Sequence, residues 1–141
     1  MRNAILAGIA LLTTIFAVSS LADDNARVDV AEFDGEGNLI VPADIETWVF
    51  LGSSLGMGYS QENFDPDTPG MFQIVRMEPN AYEAFVETGK FVDGAMISLH
   101  FYGSENHIST NRSGFVMGGL HTAEIHYKDS KYPQGFNFFM F

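Results

Sequence analysis

The run Trp48-Val-Phe-Leu51, followed by glycines at 52, 56 and 58, constrains this chain most. Four large apolar side chains in succession need a buried place. The glycines let the backbone turn, or approach a neighbour closely, where a Cβ would clash. The stretch reads as core plus turn, with a glycine loop gripping a ligand as the alternative. It is not a phosphate loop: no Gly-Lys-Ser/Thr follows and no GxGxxG spacing opens a helix. Just upstream, Pro42-Ala-Asp44 predicts a helix start. Asp44 is its cap, Glu46 lies in its first turn, and Gly52 ends it.

The rest of the chain alternates strands with turns. Met71 to Met77 predicts a strand with Phe72 and Ile74 on one face and Gln73 and Val75 on the other. Glu78-Pro79 opens a helix with an apolar stripe of Ala81, Tyr82, Phe85 and Val86; Gly89 stops it, with Lys90 near its negative end. Ala95 to Tyr102 is a second clear strand. Ala95, Ile97, Leu99 and Phe101 face one way, and Met96, Ser98, His100 and Tyr102 face the other. Phe115 to Met117 starts a third strand, with a bulge or close approach at Gly118-Gly119. His121 to Tyr127 is a fourth, with Ala123, Ile125 and Tyr127 opposite Thr122, Glu124 and His126. Phe136 to Phe141 begins a fifth. Asp34 to Asn38, Gln61 to Gly70, Gly103 to Ser113 and Asp129 to Gly135 read as turns and loops. The succession predicts an α+β domain: a mainly antiparallel sheet of about five strands with a few short helices packed on it.

Residues 1–22 have a positive Arg2, an apolar stretch from Ala4 to Val18, and Ser20-Leu21-Ala22 as a small-x-small cleavage site. This predicts a signal peptide, leaving one domain over 23–141 in the periplasm or outside the cell. An uncleaved N-terminal anchor is the alternative. The formal net charge is −11, and −12 without Arg2. Such a charge repels nucleic acid and anionic lipid, so neither nucleic acid nor membrane is an expected partner. There is no cysteine. That excludes disulfides, thiolate metal sites and attachment of haem through Cys-x-x-Cys-His.

Little in the polar residues points to chemistry by spacing alone. The histidines are His100, His107, His121 and His126. His100 and His126 lie on strands that could pair, so a two-His metal site is open beside the reading of surface or satisfied core residues. Asp34-Gly-Glu-Gly-Asn38 lacks the carboxylate spacing of a calcium loop. No serine sits in a G-x-S-x-G elbow.

As an ordered set, several segments resemble the cytochrome P-460 family of small periplasmic haem proteins. They are Asn38 to Asp44, Trp48 to Ser54, Gly70 to Tyr82, Thr88 to Gly94, Asn111 to Gly119 and Glu124 to Asp129. The resemblance covers roughly 34–141. It implies an antiparallel sheet with a few helices, a homodimer, a c-type haem and a redox partner protein. The small nitrogen ligand it implies is hydroxylamine, which some members oxidise, or nitric oxide, which the related β-type cytochromes c-prime bind. In oxidising members a lysine on the strand that here spans Ala95 to Tyr102 is bonded to haem; this chain has Leu99 there, which leans towards the nitric-oxide-binding group. Glu124 matches a strand carboxylate that relays protons, with a surface charge as the plain reading. Phe72 matches a pocket-lining aromatic, with core packing as the plain reading.

The last residues, Asn137-Phe-Phe-Met-Phe141, are apolar, where the family continues to its haem-attachment motif. Two expectations stay open: a chain cut short of that motif, or a member that has lost its haem. The alternative to a haem protein is a haem-free periplasmic binding or structural module of the same fold.

Overall fold

The structure is a computed structural model that describes residues 27–58, 65–106, 110 and 113–141. The predicted signal peptide and His107 lie outside the described residues. Five strands form one antiparallel sheet in sequence order: β1 (Val49–Leu55), β2 (Phe72–Met77), β3 (Met96–Glu105), β4 (Val116–Lys128) and β5 (Phe136–Met140). With one helix, α1 (Pro79–Thr88), between β2 and β3, this is the α+β fold expected.

Each face of the sheet has its own cover. On the core face, Met96, Ile125 and Tyr127 pack with Trp48, Leu39 and Ile45, which come from the segment before β1. Phe139 of β5 joins them. On the other face, α1 packs one end of the sheet. Ala81, Tyr82, Ala84 and Phe85 meet Met77, Ala95 and Ile97, with Val28 and Val92 closing the cluster. We call this second side the helix face.

α1 forms where its signals lie. Pro79 takes the first position, the Glu78 side chain caps the Ala81 amide at 2.8 Å, and Gly89 stops the helix at φ 69°. Its inward stripe is buried Ala81 with half-buried Ala84, Phe85 and Thr88 at i, i+3, i+4 and i+7. Val86, expected in the stripe, is instead 65% exposed.

Further expectations are corrected. The helix expected from Asp44 to Gly52 is a single 3-10 turn, Ile45–Thr47, and the chain is already extended at Trp48. Asp44 makes no side-chain cap; it accepts from the Trp48 indole Nε1 at 3.4 Å. Aromatic and β-branched residues favour strand, and Gly52 is accommodated because β1 is an edge strand with a bulge between Phe50 and Gly52. An edge strand cannot bury a continuous apolar run, so Trp48 is buried while Phe50 and Leu51 are 59% and 44% exposed. On β3, Met96, Ser98 and His100 form the more buried side, because α1 covers only one end of the helix face. Finally, the third and fourth expected strands are one, β4, which runs through Gly118-Gly119 with register shifts against β3.

Candidate functional site

The helix face beyond α1 carries Leu99 and Glu124, two of the three residues that the resemblance singled out. Leu99 on β3 stands opposite Val75 on β2 and opposite Glu124 on β4. Phe101 follows two residues on, opposite Gln73 and Thr122. On β5, Met140 faces Glu124 and Phe138 faces His126. Val75, Leu99 and Phe101 are half-buried, while Phe138 and Met140 are 54% and 72% exposed. None of these residues belongs to the cluster that α1 covers.

Within it, Glu124 and His126 project from the same side of β4, and Glu124 Oε1 lies 2.8 Å from His126 Nε2. An ionised carboxylate only accepts, so Nε2 carries the proton and Nδ1 keeps the lone pair in the neutral ring. The Phe138 ring stands edge-on to the imidazole at 4.6 Å between centroids. The pair can hold a proton and pass it on, with the carboxylate fixing the imidazole's tautomer and direction.

Phe72 lies elsewhere. Its neighbours in register are Leu55 and Tyr102, and it shares the core face with Ile74 and His100. Leu99 and Glu124 are therefore brought together, and Phe72 is on the opposite side of the sheet. The same geometry separates His100, on the core face, from His126, on the helix face, so the two cannot share a metal ion. His121 is exposed at the far part of β4. Among the described residues no group of three His, Asp or Glu side chains could hold a metal ion. None of their helices is long and apolar enough to cross a membrane.

Sequence reasoning missed a second polar constellation, on the core face. Glu46, from the 3-10 turn, reaches over β2 and β3. Its Oε2 is 3.1 Å from Arg76 Nη2 and its Oε1 is 3.0 Å from His100 Nδ1. The Tyr102 hydroxyl donates to the same Oε1 at 3.4 Å. The available signal was a serine and a histidine alternating with Met96 on a strand side that turned out to be buried.

At the lower end of the sheet, the Lys128 ammonium and the Ser130 amide and hydroxyl bind Asp93 and hold its carboxyl at about 2, below the ordinary 3.8. Arg27 bridges Asp29, Tyr127 and Asp129, anchoring the described N-terminal segment there. These contacts hold chain segments together. No family model matches the chain, and no curated protein matches it.

Proposed function

We propose that the chain is an exported cytochrome P-460-like domain whose open helix face beds a haem and serves a small nitrogen species, hydroxylamine or nitric oxide. The observation that carries this reading is the pairing of Leu99 with Glu124 on an apolar patch beyond α1. The two positions were singled out separately by the resemblance, and they meet on one face. The residues fit the group in kind. Val75, Leu99, Phe101 and Phe138 offer an apolar bed for a flat macrocycle, and His126 offers the imidazole beside it.

Haem, when bound, supplies the iron that coordinates the small nitrogen species and changes oxidation state. The chain's own part is to exclude water with Leu99 and Phe101, to orient His126 through Glu124, and to hold a proton at the Glu124–His126 pair. These residues include no cysteine, so they offer no thioether attachment themselves, and what they can contribute is the bed and the proton-holding pair. A homodimer and a redox partner protein belong to the same proposal. The acidic surface would favour a partner with a cationic docking patch.

The absence of cysteine favours a second reading, a haem-free periplasmic binding or structural module. Titration of the folded chain with ferric haem separates the two. The haem reading expects saturable binding of one equivalent with a Soret band that disappears from the protein on denaturation. The absence of saturable binding selects the haem-free module.

A further inference from the structure

Among the described residues, three buried polar atoms on the core face have no hydrogen-bond partner: Arg76 Nη1, Ser98 Oγ and His100 Nε2. They belong to one patch. Arg76 and Ser98 are register partners across β2 and β3, and His100 follows Ser98 on the same side of β3. Ser98 is 0% and His100 2% exposed. Buried polar groups are ordinarily hydrogen-bonded, so three together point to something between them.

Their chemistry defines the missing group. The Glu46 carboxylate at 3.0 Å accepts from His100 Nδ1, so in the neutral ring Nε2 is an acceptor. Arg76 Nη1 can only donate, and the Ser98 hydroxyl can do either. The occupant must therefore both accept and donate. A small protic molecule such as water meets this, whereas an anion that carries no proton could not donate to Nε2. The side chains around them leave room: Ser98 is small, and the β4 residue opposite His100 is Ala123.

We propose that Arg76, Ser98 and His100 form an internal site for one water-sized protic guest, roofed by Glu46. The guest completes a hydrogen-bonded chain from the sheet core through His100 to Glu46, whose side chain is 54% exposed. Glu46 holds both Arg76 and His100 from the solvent side, so its side chain is the group that must move for the guest to exchange.

A crystal structure showing ordered solvent, together with nitrogen-15 spectra of His100, tests the site. The proposal expects a water peak within hydrogen-bond distance of Nη1, Oγ and Nε2, with Nδ1 protonated and Nε2 accepting a hydrogen bond. Ser98→Val fills the space, and the Nε2 resonance should then move to the position of an unbonded nitrogen. Ser98→Ala, which keeps the space, should preserve the bonded position. An empty patch, direct pairing of the three side chains with one another, or an Nε2 resonance unchanged in folded Ser98→Val overturns it. If Ser98→Val does not fold, the wild-type peak and Nε2 resonance decide alone.

Discussion

Leu99 of β3 and Glu124 of β4 are direct register partners on the helix face, beyond the reach of α1. An aliphatic side chain beside a carboxylate that holds an imidazole at 2.8 Å joins an apolar surface to a proton-carrying pair. Phe72, on the other side of the sheet, has no access to that pair.

That separation predicts opposite outcomes for two substitutions. Leu99→Asp should weaken haem binding at least about tenfold, because it places an unpaired charge in the apolar bed. Phe72→Ala should leave the affinity within about threefold, apart from any loss of stability. Titrations followed at the Soret band measure both. Equal effects would mean that the two residues act through the fold rather than through a face.

Trp48 and Phe50 are two residues apart in the same apolar run but differ in burial. Trp48 is 4% exposed within the core cluster, and Phe50 is 59% exposed on the edge strand. Trp48→Ala should cost on the order of 3–5 kcal/mol, and Phe50→Ala under about 1 kcal/mol. Urea unfolding of the two variants checks the difference.

Gly94 occupies a tight crossing. Its φ is +86°, and a Cβ there would run into the carbonyl oxygen of Val28. Beside it, Val28 donates its amide to Asp93 at 2.8 Å. Gly94→Ala should cost at least about 2 kcal/mol, from backbone strain and from displacement of the segment at Val28. Faster amide exchange at Val28 should accompany the loss.

Much of the fold was legible because local signals agreed with the tertiary solution. Pro79 and Gly89 bracket α1, and alternation on β4 put Ile125 and Tyr127 on the buried side. Alternation on β3 reveals two faces but not which is covered more fully. That depends on Leu39, Ile45 and Trp48 packing with Met96 and on Glu46 reaching His100, while α1 covers Ala95 and Ile97 at one end of the other face. The partnership of Leu99 with Glu124 rests on strand register, which no local pattern in either strand specifies. Glu46, Arg76 and His100 come from three elements, and no spacing links them.

Asp93 provides a test against pH. Its carboxyl is held at about 2, below the ordinary 3.8, first by its bonds to Lys128 and Ser130. A depressed carboxylate contributes stability above its unfolded value and loses it as pH falls to the folded value. Asp93→Asn should therefore be less stable than the native chain at neutral pH by on the order of 1–2 kcal/mol. The gap should close between about pH 4 and pH 2. A constant gap across that window, in urea midpoints, would show that the Asp93 charge is not responsible.

The central claim is that the helix face beyond α1 is the haem-bearing surface. The most direct measurement is paramagnetic broadening of amide and methyl resonances when ferric haem is added to the folded chain. Broadening should centre on Val75, Leu99, Phe101 and Glu124, and spare Trp48, Ile45 and Leu39 on the core face. Broadening centred on the core face, or none at one equivalent of haem, would contradict it.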